Sequence, residues 1–372
     1  MQFEPYPFEK LKTLLGGITP SQEICDLTIG EPQFDTPEFI QKALRDNSSS
    51  LKKYPKTLGE EFLRSSMRSF VKSRFDITLD VGELLPSFGT REILFNFPQF
   101  LLRDIDNPTI AYTNPFYQIY EGAAIMCGAK IIHINLNIKN NFKAEIGDYL
   151  KNCDLVILNF PNNPTGASLS LKELSLWVEA SLKYDFVLLN DECYSEIYSN
   201  TKPISLLEAC KNVGNLSFKN NLVINSLSKR SSSPGVRSGF IAGDKNILNL
   251  YKVYRTYVGT AVPLPLQHAA SVAWSDFGHA EEIRLKYKKN LELANEILGI
   301  DVSDATFYLW LKVDDDLEFT KSLYKNKGIK VLPGSFLGRE EEGKGYIRIA
   351  LIDEPTIIKE ALIRLKEFLD NE

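Results

Sequence analysis

Polar side chains follow short apolar runs at several places in the sequence, and their types suggest shared chemistry. N-P-T-G at 163–166 comes soon after LVILNF, D-E-C-Y at 191–194 follows FVLLN, and S-L-S-K at 226–229 ends the run LVINS. Arg237 lies a short distance beyond the lysine, and a small-residue turn, S-F-G-T-R, occupies 87–91. Together these stretches supply an amine, a carboxylate, a phenol, an amide, a guanidinium and an open glycine turn. Such groups suit a cofactor that carries an aldehyde, a ring nitrogen, a ring hydroxyl and a phosphate.

The apolar runs themselves predict the sheet that would position these groups. They are TIAY (109–112), KIIHI (130–134), LVILNF (155–160), FVLLN (186–190), LVINS (222–226) and SGFIA (238–242). Short apolar runs bounded by polar residues are typical of buried strands. An amphipathic helix with a Ser170–Glu173 capping box separates two of them. Alternation of strands and helices predicts a mostly parallel sheet, whose ligands lie beyond the carboxyl ends of its strands.

The last third of the chain has a different pattern. It contains a helical stretch at 280–298, a strand-like run at 306–313, a glycine-rich loop at 334–345, a strand at 346–352 and a final amphipathic helix. We therefore expect an α/β protein with a mostly parallel central sheet, helices on both faces, and a smaller α+β domain. The predicted large domain is 41–274, and the predicted small domain combines 1–40 with 275–372.

Composition excludes several classes of protein. The 372 residues carry a net charge of −5 without a basic block, which disfavours a nucleic-acid platform. No apolar run approaches the ~20 residues of a membrane span, and the N-terminus lacks the apolar core of a signal peptide. Five scattered cysteines form no CxxC pair, and three histidines are too few for a histidine-rich metal site. We expect a cytoplasmic protein with reduced thiols and no metal.

Two nucleotide motifs can be set aside. Gly338 to Lys344 approaches a phosphate-loop pattern, but the next residue is Gly345 and three glutamates, 340–342, would repel phosphate. A dinucleotide G-x-G-x-x-G is absent from the sequence. The glutamate-rich segment is best interpreted as a solvated turn, and hydride transfer is disfavoured.

The cofactor that the strand-end groups suit is pyridoxal 5′-phosphate (PLP). In the same residues the chain resembles the fold-type-I PLP-dependent aminotransferases of class I/II. The resemblance runs from Gly30 to Arg348 and consists of N-P-T-G, D-x-x-Y, S-x-S-K, a following arginine and a late R-I-A. It implies a PLP-dependent transferase fold of type I and an aminotransferase activity.

The resemblance implies a role for each matching residue around the cofactor ring. Lys229 would hold PLP as a Schiff base and move the Cα proton, which suits a desolvated lysine with a lowered pKa. Asp191 would pair with the pyridine nitrogen, so that the ring acts as an electron sink. Tyr194 and Asn163 would donate to the ring oxygen, and Tyr117 would stack on the ring.

The cofactor phosphate would be bound at a second group of matching positions. The backbone N–H groups of Gly89, Thr90 and Arg91 begin a predicted helix, and a helix N-terminus favours an anion. Ser226 and Arg237 match the hydroxyl and the guanidinium that complete the phosphate site.

Three more positions concern the substrate and a second subunit. Arg348 matches the arginine that binds the substrate α-carboxylate, and Gly30 matches a glycine beside that carboxylate. Tyr54 matches a tyrosine that reaches the phosphate of the neighbouring subunit's site. The resemblance therefore implies a homodimer with shared active sites and ping-pong exchange of an amino group between amino acid and keto acid substrates.

The substrate is inferred from Arg91 and from local resemblance. A cation at Arg91 could bind a distal carboxylate, which favours an acidic partner. The stretches at 3–11, 29–37 and 87–100 look particularly like bacterial succinyldiaminopimelate aminotransferases of lysine biosynthesis. These enzymes use glutamate and an N-succinylated 2-amino-6-keto-dicarboxylate. Aspartate aminotransferase and a PLP-dependent β-lyase are the alternatives on this scaffold. A PLP-binding transcription regulator is disfavoured by the missing basic patch, and a scaffold without chemistry by the intact motifs.

Overall fold

The apolar runs of the sequence form a seven-stranded sheet at the centre of the protein. The structure, a computed structural model, describes residues 3–371. Its strands are β1 (Cys25–Asp26), β2 (Leu84–Ser87), β3 (Thr109–Asn114), β4 (Lys130–Asn135), β5 (Leu155–Leu158), β6 (Val187–Asp191), β7 (Asn221–Ser226), β8 (Gly239–Gly243), β9 (Tyr308–Lys312), β10 (Ile329–Lys330), β11 (Leu332–Pro333) and β12 (Tyr346–Ala350). The central sheet has the order β2-β8-β7-β6-β5-β3-β4.

Thirteen α-helices are described between residues 3 and 371. They are α1 (Pro7–Leu14), α2 (Glu38–Asp46), α3 (Glu61–Phe75), α4 (Thr90–Leu102), α5 (Ile119–Met126), α6 (Leu171–Tyr184), α7 (Leu206–Asn212), α8 (Leu227–Arg230), α9 (Lys245–Val258), α10 (Leu264–Ser275), α11 (Gly278–Leu298), α12 (Asp316–Lys327) and α13 (Pro355–Leu369). Short 3₁₀ turns cover Ser48–Lys52, Val81–Glu83, Ile138–Asn140, Asp148–Asn152, Pro234–Val236 and Gly334–Phe336.

All six predicted strands of the central sheet are present, as β3 to β8. Strands β4, β3, β5, β6 and β7 run parallel, which confirms the mostly parallel sheet. Strand β8 is antiparallel to both β7 and β2. The sequence analysis did not identify β2, whose Pro86 makes the run look unlike a strand. Because β2 is the edge strand, a proline can be accommodated there.

Helices cover both faces of this sheet. In β5, Val156 and Leu158 point into one hydrophobic core, which also contains Trp177 of α6. Leu155 and Ile157 point into the other core, together with Phe97 of α4. Alternate side chains of one strand are thus buried on opposite faces, as expected for a sheet between two helical layers.

The C-terminal third forms a smaller α+β assembly. Strands β11, β12 and β9 make an antiparallel sheet, and β1 pairs with β10. The final helix buries Ile358, Ala361, Leu362 and Leu365 in the core of this assembly. Helix α1 joins it from the N-terminal end, where Leu11 packs with Leu332 and Leu337. The predicted division into 41–274 and the two flanking segments stays a prediction. None of the described helices is long and apolar enough to cross a membrane.

Candidate active site

The polar groups that follow the strands meet in one cavity of about 480 Å³. It lies where β5, β6 and β7 end and where β12 approaches them from the smaller assembly. Of the residues predicted for the site, eleven line this cavity: Gly30, Thr90, Arg91, Tyr117, Asn163, Asp191, Tyr194, Ser226, Lys229, Arg237 and Arg348. Gly89 adjoins it through contact with Arg237. The structure therefore brings most of the predicted site residues together in one cavity, and the role of each stays a prediction.

Lys229 lies in the four-residue helix α8, which begins directly after β7. Ser226 caps this helix by accepting a hydrogen bond from the backbone N–H of Ser228 at 3.1 Å. The Nζ of Lys229 donates to the carbonyl of Gly30. Burial lowers the pKa of Lys229 to about 8. An amine with so low a pKa is partly neutral near pH 7, and a neutral amine can attack an aldehyde or accept a proton.

Asp191 is the last residue of β6 and lies fully inside the protein. The hydroxyl of Tyr120 donates to its Oδ2 at 2.9 Å, and the N–H of Cys193 donates to its Oδ1 at 3.2 Å. Burial raises the pKa of Asp191, whereas these hydrogen bonds lower it. The two donors thus favour a buried carboxylate, which suits a cationic partner such as a protonated ring nitrogen.

Asn163 and Tyr194 are each held by a residue of the smaller assembly. Arg348 donates from Nη1 to Oδ1 of Asn163 at 2.8 Å, and the hydroxyls of Tyr194 and Tyr308 are 3.1 Å apart. Burial raises the pKa of Tyr194 well above its ordinary value, so the phenol keeps its proton. Both side chains can therefore donate a hydrogen bond to an anionic oxygen in the cavity.

A glycine turn and an arginine form the predicted phosphate site. Gly89 has φ 78° and caps α4, whose first N–H groups have no partners within the helix. A side chain at Gly89 would overlap the guanidinium of Arg237. Only glycine therefore leaves the helix N-terminus and the guanidinium open to the same ligand, which is the geometry of an anion site.

A buried ion pair holds the first turn of α4 in place. Glu92 forms an ion pair with Arg255 at 3.0 Å, and both side chains are almost completely buried. Arg255 also donates to the carbonyl of Pro86 at 2.7 Å. The turn that carries Gly89 is therefore held between β2 and α9 before any ligand arrives.

Three predicted roles involve contacts that the single chain does not show. The hydroxyl of Ser226 contacts Ser228, at 3.0 Å between the two Oγ atoms, so its contact with a phosphate stays a prediction. Tyr117 lines the cavity and accepts a hydrogen bond from Nε of Arg91 at 2.8 Å, and its stacking on a ring also stays a prediction. Tyr54 is fully exposed and lies outside the cavity, so its role in a second subunit is untested.

Sequence reasoning missed residues that support the predicted ones. Tyr120 is buried in helix α5, and Tyr308 lies within an apolar strand, so neither pattern differs from that of a core aromatic. Asn159, inside the run LVILNF, donates to the carbonyl of Asp191 at 2.9 Å and accepts from the N–H of Asn163 at 2.9 Å. An asparagine within an otherwise apolar strand was the available signal, because a buried amide must be hydrogen-bonded.

The charges of the cavity call for anionic ligands. Arg91, Arg237 and Arg348 form no ion pair with any carboxylate in the part of the chain that the structure describes. Arg348 is buried, and its Nε has no hydrogen-bond partner among the described residues. Three unneutralised guanidiniums in one cavity fit a phosphate together with carboxylates. These observations fit PLP and an amino acid.

Comparison with known proteins agrees with a site for PLP and an amino acid. Residues 22–363 match the family "Aminotransferase class I and II". The chain belongs to this family. Aminotransferases of class I and II use PLP, so the cofactor predicted from the strand-end residues is confirmed. The fold of type I is confirmed as well.

Individual relatives cover nearly the whole chain. An LL-diaminopimelate aminotransferase from Natranaerobius thermophilus is 32% identical, over 98% of this chain and 97% of its own length. One from Aquifex aeolicus is 30% identical, over 97% and 96%. The crystal structure of aminotransferase AspB from Helicobacter pylori is 51% identical, covers 100% of both chains and has a TM-score of 0.99.

The residues of the aminotransferase divide the work of the reaction. When bound, PLP supplies the aldehyde that takes up the amino group and the ring that accepts electrons from Cα. Lys229 would supply the amine that anchors the cofactor and the base that moves the Cα proton, and general acid–base catalysis of this kind typically contributes ~10²–10⁴-fold. Asp191 would hold a positive charge at the ring nitrogen, and Arg348 would orient the substrate carboxylate.

Proposed function

We propose that this aminotransferase exchanges an amino group between glutamate and an N-succinylated 2-amino-6-keto-dicarboxylate, as a succinyldiaminopimelate transaminase does. The observation that carries the proposal is that two arginines line one cavity, one of them buried and the other exposed. Arg348 is buried beside Asn163 and suits the α-carboxylate. Arg91 is exposed at the cavity, with its Nε committed to Tyr117 and its two Nη atoms available for a second carboxylate.

The electrostatic surroundings of Arg91 favour a substrate whose distal end is anionic. The charged or ionisable neighbours that perturb its pKa are Tyr117 and Tyr6, and neither is a carboxylate. Glu31 also lines the cavity, but it acts electrostatically on Lys229, at the reacting end. A free distal ammonium would thus lack an acidic partner near Arg91. An N-succinyl group removes that ammonium and adds a carboxylate, which suits Arg91 better.

Unacylated LL-diaminopimelate is the second candidate substrate. Several relatives that span nearly the whole chain are named for it. The two candidates share the seven-carbon dicarboxylate skeleton and differ at the distal nitrogen, so they can be separated experimentally. Aspartate, the alternative from the sequence, has a skeleton of only four carbons and is compared in the same experiment.

The deciding experiment is a half-reaction followed by visible absorption. PLP-loaded protein is mixed separately with N-succinyl-LL-diaminopimelate, LL-diaminopimelate, glutamate and aspartate. We expect N-succinyl-LL-diaminopimelate and glutamate to remove the yellow absorption much faster than the other two. Faster reaction with LL-diaminopimelate would replace the proposal by the second candidate. Reaction with aspartate and glutamate alone would make the protein an aspartate aminotransferase.

The proposal includes a homodimer in which Tyr54 reaches the phosphate site of the partner subunit. Full exposure of Tyr54 in the single chain supports this role. Mixing Lys229→Ala protein with Tyr54→Ala protein tests it, because a hybrid dimer would contain one site with both native residues. Recovery of activity on mixing is expected, and no recovery in a proven mixed dimer would contradict shared sites.

A further inference from the structure

A buried hydrogen-bond network begins immediately after the catalytic lysine. Ser231 is two residues beyond Lys229, and its Oγ lies 2.8 Å from Nε2 of His279. The Nδ1 of His279 lies 2.6 Å from Oδ1 of Asp276. Ser231 is completely buried, so the Ser–His–Asp arrangement is closed to substrates and cannot act as a nucleophilic triad.

The network connects the lysine segment to the junction between α10 and α11. Asp276 and His279 lie at this junction, where the chain leaves the helices of the central sheet for the smaller assembly. Arg230 reaches the same junction, donating to the carbonyls of Ala273 at 2.7 Å and Asp276 at 3.0 Å. Its guanidinium lies 5.0 Å from the ring centroid of Phe70 and 5.5 Å from that of Trp274. Both residues that follow Lys229 are therefore anchored to one junction.

The other connection between the two assemblies is tied to the same segment. Thr36 donates to the carbonyl of Ser232 at 2.8 Å, and Ser232 donates to the carbonyl of Phe34. Lys229 itself donates to Gly30, earlier in that connection. A displacement of either connection would therefore be transmitted to the short helix that carries the lysine.

We propose that Ser231 and His279 are positioning residues that set the depth of the Lys229 amine by clamping its helix to the α10–α11 junction. Helix α8 has only four residues and cannot hold the lysine by its own hydrogen bonds. With the clamp released, the segment would loosen and water would reach the amine. The pKa at the lysine nitrogen would then rise towards its ordinary value.

Two charge-neutral substitutions test this proposal. Burial lowers the pKa of His279, so the imidazole is neutral near pH 7 and His279→Gln changes no charge. Ser231→Ala changes no charge and leaves the groups that act on Lys229 in place, namely Cys193, Arg348, Glu31 and Arg237. A shifted pKa in either variant must therefore come from a change of position. Arg230 is unsuitable as a test, because its substitution would remove a buried charge and two hydrogen bonds to backbone carbonyls at the same time.

The measurement is the pH midpoint of the rate at which the cofactor-free protein takes up PLP, since only the neutral amine of Lys229 reacts with the aldehyde. In both variants we expect the midpoint to rise by at least ~0.3 pH unit, a twofold change in proton affinity. We expect kcat to fall by about 10-fold while KM stays within twofold, since the lysine and not substrate binding is disturbed. The matched control is His268→Gln, because His268 stacks on Phe62 at 4.4 Å and does not line the cavity.

A purely structural role predicts a different result. Both variants would then melt at a lower temperature, but the pH midpoint and kcat at a temperature where they are folded would equal those of the control. That outcome, or a midpoint that falls, would overturn the proposal. If Ser231→Ala is too unstable to load with PLP, His279→Gln still decides the question, because an amide cannot reproduce the bridge in which Nε2 contacts Ser231 and Nδ1 contacts Asp276.

Discussion

Arg348 and Asn163 are joined by a 2.8 Å hydrogen bond across the boundary between the two assemblies. The arginine lies on β12 and the asparagine in the loop after β5. Arg348 uses Nη1 for this bond and Nη2 for the carbonyl of Thr28 at 2.6 Å. Because Oδ1 of Asn163 is engaged as the acceptor, its amide NH₂ is left to donate into the cavity. One guanidinium thus orients the amide and can bind the substrate carboxylate.

Arg348→Lys should separate substrate binding from cofactor binding. An ammonium cannot replace the planar fork that contacts Asn163, Thr28 and a carboxylate together. Hydrogen bonds to charged groups are worth ~1.5–3 kcal/mol, so we expect KM to rise by roughly 10- to 100-fold for amino and keto acids. Affinity for PLP should change little. Steady-state kinetics and a PLP titration measure the two effects.

Arg364→Lys is the matched control for this substitution. Arg364 also donates to backbone carbonyls, those of Glu23 and Lys327, but it lies outside the cavity. Its KM values should equal those of the unsubstituted protein. Equal rises in KM for both variants would show that Arg348 acts through folding and not through carboxylate binding.

Tyr120→Phe should move the acid limb of the activity to higher pH. The phenol donates to Asp191, and this bond lowers a carboxyl pKa that burial raises. Without the donor, the pKa of Asp191 rises further, so the carboxylate is lost at a higher pH than before. A hydrogen bond worth about 1 kcal/mol corresponds to a shift of ~0.7 pH unit.

The pH profile of kcat/KM measures this shift, and Tyr112→Phe is the control. The hydroxyl of Tyr112 is 3.5 Å from Nε2 of His133 and does not contact Asp191. An acid limb that stays in place in Tyr120→Phe would mean that Asp191 does not set it.

Lys229, Asp191 and Asn163 could be predicted because each lies at or soon after the end of a buried apolar run. The rule for parallel strands alone places these three residues at one edge of the sheet. Tyr120 and Tyr308 could not, because an aromatic residue in a helix or strand has the same pattern whether its hydroxyl is paired in the core or faces a ligand. Strand β2 was not predicted for a related reason. Pro86 is compatible with a strand only at the edge of a sheet, and whether a strand lies at an edge is decided by the tertiary structure.

Lys229→Met should stabilise the cofactor-free protein near neutral pH. Burial lowers the pKa of the lysine from 10.5 to about 8, so at about pH 7 the folded protein holds a costly buried charge. At ~1.4 kcal/mol per pH unit, its removal should raise the free energy of unfolding by about 3 kcal/mol. Between these two pKa values the unfolded chain binds more protons than the folded one, so stability of the unsubstituted protein increases with pH.

Urea denaturation at about pH 7 and about pH 9.5 measures the free energy of unfolding, and so checks both the size of the stabilisation and the direction of its change with pH. The advantage of Lys229→Met should shrink by about half at the higher pH, because the native lysine is by then largely neutral when folded. The exposed Lys289 provides the control, and Lys289→Met should show no such dependence. A constant difference between Lys229→Met and the unsubstituted protein would contradict a lowered pKa.

Arg91→Ala tests the distal carboxylate site on which the proposed substrate depends. We expect KM for N-succinyl-LL-diaminopimelate to rise by about 10-fold, the equivalent of one charged hydrogen bond, and alanine to react as before. The backbone N–H of residue 91 is retained, so a PLP titration should give an unchanged affinity. Arg103→Ala is the control, because Arg103 follows the same helix α4 and pairs with Asp104 away from the cavity. Equal losses with the dicarboxylate and with alanine would show that Arg91 acts on the cofactor or the fold, and the distal site would have to be sought at Tyr6, which lines the cavity beside it.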